Sequence, residues 1–155
     1  MTFSLGPKSK ANLVGVDDRL VSIVQTAIKE TEQDFTVFEG LRTVERQRKL
    51  VASGASKTMA SKHLKQPSGF GHAVDLVPWI DGQPRWEWGP IYHIALAMRN
   101  ASIQHGIMIR WGGVWDKNLS DLPNSVPGIQ KAVSDYCARH PGPDFIDGPH
   151  FELRA

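Results

Sequence analysis

The chain has a single cysteine, Cys137, in 155 residues. An internal disulfide is therefore excluded, and so are the thiolate-rich sets of structural zinc modules. Any metal held here takes nitrogen and oxygen ligands, which favours catalysis over a structural role. Long apolar runs are also missing. No stretch approaches the roughly 18 to 20 apolar residues that cross a bilayer, so no membrane insertion is expected. The opening residues Met1-Thr2-Phe3-Ser4-Leu5-Gly6-Pro7-Lys8 contain no apolar core of a secretion signal, and a soluble cytoplasmic chain is expected. Charge of one sign is not in excess either, since 18 Lys and Arg against 16 Asp and Glu leave +2. That balance suits an anionic polymer and falls short of a nucleic-acid binder, and no interleaved aromatic and basic pattern supplies one. Internal repeats and low-complexity linkers are absent.

What is present describes one folded unit over residues 1–155. The apolar fraction is 41% and there are five tryptophans, enough for a single core without staples. Residues 17–32 read as an amphipathic helix through Leu20, Ile23, Val24, Ala27 and Ile28, capped by Asp17 or Asp18. Phe35–Phe38 read as a strand ending at Glu39-Gly40. A second helix covers 43–53 with Thr43 as its cap and Gly54 as its stop. Ala73–Val77 read as a strand closed by Pro78. Pro90–Gln104 form a helix ended by Gly106, and Ile107–Trp111 a strand running into the turn Gly112-Gly113. Residues 116–128 read as loop, Val126–Arg139 as a weaker helix and His150–Arg154 as the last strand. Helices come early and strands are spaced by long segments, so the class is α+β with a small, largely antiparallel sheet.

Three pieces carry chemistry: Ser61-Lys62-His63, Gly71-His72-Ala73-Val74-Asp75, and Asp147-Gly148-Pro149-His150. Two imidazoles and a carboxylate make a three-ligand site with a fourth position open to water. Asp75 interrupts an apolar strand, where an unpaired carboxylate is costly, so it requires a metal or an Arg or Lys partner. Strand alternation puts Asp75 and His72 on opposite faces, which removes His72 from the ligand set. Two carboxylates are candidates for the proton-transfer group: Asp147, three residues before His150, and Glu152, on the same strand face as His150. Asp147 also suits a turn.

Ser61-x-His63, Gly71-x-Ala73-x-Asp75 and Asp147-x-Pro149-His150-Phe151 resemble the zinc D-alanyl-D-alanine carboxypeptidase family, which includes the vancomycin-resistance peptidases and the phage L-alanyl-D-glutamate endopeptidases. Gly40-Leu41-Arg42-Thr43-x-x-x-Gln47 and Trp111-Gly112-Gly113-x-Trp115 resemble the phage endolysin branch. The likeness runs from Val14 to Leu153. It implies the small α+β fold shared with hedgehog N-terminal domains and lysostaphin-type peptidases. It implies one Zn2+ per chain on His63, Asp75 and His150, with Asp147 as general base and then acid. Arg42 would hold the substrate carbonyl or its developing oxyanion. Ser61, Trp111 and Trp115 would contact substrate, while Arg46 and Arg48 belong to a solvated helix face.

The implied substrate is the peptidoglycan stem peptide, cut by a monomer without a separate wall-binding domain. The enzyme would wait in the host cytoplasm until a membrane pore releases it to lyse the cell. Two other functions fit the same residues: a D,D-carboxypeptidase or dipeptidase, and a hedgehog-like zinc-binding module without catalysis. The chain departs from the family spacing His-x-x-Gly-x-Ala-x-Asp, because seven residues, Leu64–Phe70, separate His63 from Gly71. This insertion is expected to reshape the cleft and bears on how His63 approaches the metal. The long segment 117–143 is read as a lid or a wall-contacting surface.

Overall fold

The computed structural model describes residues 2–56, 58–142 and 146–154. In chain order the elements are α1 (Pro7–Asn12), α2 (Asp18–Glu30), β1 (Phe35–Glu39), α3 (Val44–Ala52), β2 (Ala73–Ile80), β3 (Gln83–Pro84), α4 (Trp88–His105), β4 (Ile109–Gly112), β5 (Val114–Asn118), α5 (Val126–Arg139) and β6 (Asp147–Leu153). A 3-10 turn, Leu119–Asp121, follows β5. The strands run β1-β2-β6-β4-β5 and every pairing is antiparallel, with β3 folded back on β2. This is the expected α+β class.

The sheet has one face for the core and one for the site. Val37, Val74, Leu76, Ile109, Trp111, Phe151 and Leu153 point to the core face, where α2 and α4 close over them. The five apolar positions read along α2 are all buried, and Asp17 caps it by accepting from Arg19 N. Thr43 caps α3 in the same way, accepting from Arg46 N. Gly106 ends α4 with φ +65°, a left-handed conformation that glycine adopts without a Cβ clash. The segment 117–143 is not a lid. Its described part completes β5 and forms α5, whose Ile129, Val133 and Tyr136 are buried in the core.

Several boundaries differ from the sequence reading for identifiable reasons. β2 continues past Pro78 to Ile80. Trp79 N donates to Asp34 O, so by alternation the missing N–H of Pro78 points away from β1. On that side the short β3 folds back and the Pro78 carbonyl accepts from Arg85 N, so the proline costs only one N–H at an edge pairing. The 116–128 loop begins as strand, because β4 turns through Gly113 straight into β5. The strand expected at 107–111 starts at Ile109, and the one expected at 150–154 starts at Asp147. Helix α1 had no sequence signal. It seals the open edge of β1: Ser9 Oγ accepts from Val37 N, and Asn12 Nδ2 donates to Val37 O. Such cover blunts an edge that would otherwise invite another strand.

Gly40 ties this edge to the site. A Cβ there would run into the backbone carbonyl oxygen of Asn12, and the Gly40 carbonyl accepts from His63. Gly40→Ala is expected to destabilise the fold by about 2 kcal/mol through overpacking, which a thermal melt would read as a midpoint lowered by about 4–8 °C.

Candidate metal centre and active site

The sheet register assembles the site. Glu39 pairs with Asp75, and Asp75 pairs with His150, so one rung crosses β1, β2 and β6. His63 arrives from the loop before β2. One ligand atom from each of His63, Asp75 and His150 lies within 4.8 Å of the others, and they could hold a metal ion. His63 Nε2 stands 3.2 Å from Asp75 Oδ1, and His150 Nδ1 3.4 Å from the same oxygen.

The outer nitrogens decide which inner ones are offered. His63 Nδ1 is 2.9 Å from Gly40 O, and since a carbonyl only accepts, Nδ1 carries the proton and Nε2 faces Asp75. His150 Nε2 donates to Glu152 Oε1 at 2.9 Å, which turns Nδ1 inward. Such outer hydrogen bonds fix the tautomer and orientation of metal-binding imidazoles. Glu152, weighed above as a base, thus holds His150 in place. His72 lies outside the group; it is buried against Ser68 Oγ at 3.0 Å and approaches Asp17.

The 64–70 insertion leaves the approach of His63 intact because it closes on itself. Gln66 N donates to Phe70 O, Gly69 N to Gln66 O, and Gln66 Nε2 to Leu64 O. Gly71 N then bonds Gly15 O, and Arg42 N bonds His63 O, which fixes both ends. Ser61 Oγ accepts from His63 N, and Ser61 is half-buried at the same turn.

Arg42 is almost buried, with 9% of its side chain exposed. Nε and Nη2 donate to the two carboxylate oxygens of Glu39 at 2.7 and 2.9 Å, and Nη1 to Gln47 Oε1 at 2.8 Å. Three of its five N–H groups are spent, leaving one on each Nη. Nη2 lies 3.8 Å from Asp75 Oδ2, so the free edge faces the centre. Gln47 is fully buried and anchors the loop ahead through Ser56 Oγ and Thr58 O. Glu39 had no signal in the sequence as the orienting partner, and Gln47 was visible only as a motif position. Arg46 is half-exposed as expected, yet it too donates to Glu39.

Trp111 does not line a cleft: it is 0% exposed. Its indole Nε1 donates to Gly148 O at 2.6 Å, and its ring stacks on Phe151. From beneath the sheet it fixes the chain between Asp147 and His150. Trp115 lies on the site face, 5.3 Å from the His150 ring. Gly112 lets β4 close on Asp147, whose carbonyl a Cβ would strike.

Electrostatics separate the two aspartates. Burial opposes ionisation of Asp75, but His150 and His63 outweigh it and hold its carboxyl well below the usual range. Burial raises Asp147, and the negative charge of Asp75 raises it further, so Asp147 binds a proton more readily than an ordinary carboxylate.

Comparison with known proteins agrees with this geometry. A family profile described as phage L-alanyl-D-glutamate peptidase matches residues 1–154. The chain belongs to this family. It is accordingly a peptidase, similar to the L-alanyl-D-glutamate peptidase of Escherichia phage T5, with 30% identity over 121 residues covering 75% of this chain and 84% of that one. The crystal structure of the Serratia marcescens L-Ala D-Glu endopeptidase ChiX is similar throughout, with a TM-score of 0.71 and 33% identity over 99% of this chain and 90% of that chain. No helix among the described residues is long and apolar enough to cross a membrane.

Burial disfavours the His150 imidazolium, but the Asp75 and Glu152 carboxylates hold its pKa up at about 9. An unfolded histidine titrates near 6.5. The raised value therefore stabilises the metal-free fold fully below about pH 6.5, and this stabilisation is lost as pH rises towards 9. In chelator, the thermal midpoint is expected to fall across that window. Glu152→Gln, which removes one of the two carboxylates, is expected to flatten the slope.

Proposed function

We propose that the chain hydrolyses the L-alanyl–D-glutamate bond of peptidoglycan stem peptides and so lyses the bacterial host. The observation that carries this reading is a chain-long family match on a chain that gathers His63, Asp75 and His150 on one sheet face. Zinc, one per chain, fits two imidazole nitrogens and one carboxylate oxygen, and when bound it supplies a polarised carbonyl and a water acidified to a pKa of about 7.

The chain's own residues do the rest. Asp147, its carboxyl raised by burial, takes a proton from the attacking water and passes it to the leaving amine. Arg42, held by Glu39 and Gln47, presents its remaining N–H groups to the carbonyl oxygen as charge develops there. A fixed donor of this kind needs no reorganisation during the reaction. Ser61 and Trp115 contact the substrate beside His63 and His150. The 155 residues form a catalytic domain that acts as a monomer. The enzyme accumulates in the host cytoplasm and reaches the wall through a membrane pore.

Mass spectrometry of digested purified peptidoglycan tests the bond choice. Fragments with a new N-terminal D-glutamate are expected, whereas released D-alanine would indicate the D,D-carboxypeptidase alternative. Asp147→Ala is expected to lower kcat/KM by about 100-fold or more while retaining its metal. A variant as lytic as the unaltered protein would remove Asp147 from the mechanism.

Metal content checks the ligand set separately. His72→Ala is expected to keep about one zinc per chain, and His63→Ala to lose most of it. The reverse pattern would mean that the ligand set is wrong.

A further inference from the structure

A second rung of the sheet runs beside the metal rung on the same face. Ala73 pairs with Glu152, Glu152 with Arg110, and Arg110 with Asn118. Their neighbours Val74, Phe151, Ile109 and Trp111 face the core, so alternation turns this rung towards the site. Arg110 stands diagonal to His150, a separation of about 7–8 Å in an antiparallel pair. An extended arginine spans that distance.

Arg110 is half-buried, and among the described residues its guanidinium has no hydrogen-bond or ion-pair partner. Its Nε is buried and unpaired, as is Oδ1 of Asn118 opposite it. Glu152, opposite it, is bonded instead to His150, whose Nε2 donates to Oε1. The Arg110 guanidinium therefore carries donors on the site face that the fold itself does not use. An unpaired, half-buried guanidinium is costly unless a ligand completes it.

The proposed substrate supplies a matching group. A D-glutamyl residue on the amine side of the cut has two carboxyls. One continues the peptide, and the other remains a free carboxylate within a few bonds of the scissile nitrogen. We propose that Arg110 binds this free carboxylate and makes the enzyme selective for an acidic residue after the cut. The inference rests on the L-alanyl–D-glutamate reading and adds the group that recognises the glutamate. Arginine suits this task because its planar fork matches carboxylate geometry.

The test uses two synthetic stem peptides that differ only at that position, one with the free carboxylate and one with its primary amide. The unaltered enzyme is expected to favour the acid by about tenfold or more in kcat/KM, as a site built to bind a polar group discriminates against its loss. Arg110→Gln is expected to lower kcat/KM for the acid by about tenfold or more while leaving the amide within about twofold, so the ratio collapses towards one. Arg110→Lys, which keeps the charge, is expected to retain part of the preference. Zinc content and thermal midpoint of both variants report whether the fold and the centre are preserved. Equal losses on both peptides, or an unchanged ratio, would overturn the assignment of Arg110. If the unaltered enzyme cut neither peptide at the alanyl bond but still released D-alanine from peptidoglycan, the L-alanyl–D-glutamate reading would fall and this inference with it.

Discussion

The site depends on one half-buried carboxylate. Asp75 sits inside a strand whose neighbours are buried apolar residues, and only 16% of its side chain is exposed. Left alone, a charge in such a place would protonate or unfold its surroundings. It stays ionised because two imidazoles share its Oδ1 and an arginine stands behind its Oδ2. Each partner is itself held from outside: His63 by the Gly40 carbonyl, His150 by Glu152, and Arg42 by Glu39 and Gln47. The outer shell involves α1 through Gly40, α3 through Gln47 and β6 through Glu152. Disturbing any of them reaches Asp75 in one step.

The three residues that could hold a metal were legible in the sequence because each is locally conspicuous. A carboxylate in Ala-Val-Asp-Leu-Val and a histidine after Gly-Pro stand out against their neighbours, and strand alternation separates Asp75 from His72. Helices α2, α3 and α5 were legible for a similar reason, since their caps and periodic faces lie within a few residues of each other. What was hidden depends on distant segments. Helix α1 has no amphipathic repeat and is explained only by the β1 edge that Ser9 and Asn12 cover. Glu39 is an ordinary strand-end acid until the β1–β2 register brings it opposite Asp75. Trp111 belongs to a motif that suggested a cleft wall, yet the parity of β4 turns it into the core. A motif can identify a residue that matters without saying which face it occupies.

The two faces of the sheet divide the work. On the core face, Trp111 and Phe151 stack, and the indole N–H reaches through to the Gly148 carbonyl. That bond sets the height of the strand segment carrying Asp147 and His150. Gly112 and Gly148 let neighbouring groups approach closely, Gly112 against Asp147 and Gly148 against Ile91 and Trp88. The spacing between Asp147 and His150 is thus fixed by core packing, which is stiffer than surface loops. Catalytic groups held in this way keep their geometry while substrate enters and leaves.

Protons and metal compete for the same electrostatic position. Without a metal, a proton on His150 Nδ1 lies between that ring and Asp75, and the Nε2 proton satisfies Glu152. A divalent ion would displace the first proton and leave the second, so the outer hydrogen bonds need not change. Arg42 would keep its bonds to Glu39 and Gln47 in either state, because none of them involves the inner ligand atoms. The fold can therefore be complete before the ion arrives. The organisation of the centre is supplied by hydrogen bonds that a metal held there would not touch.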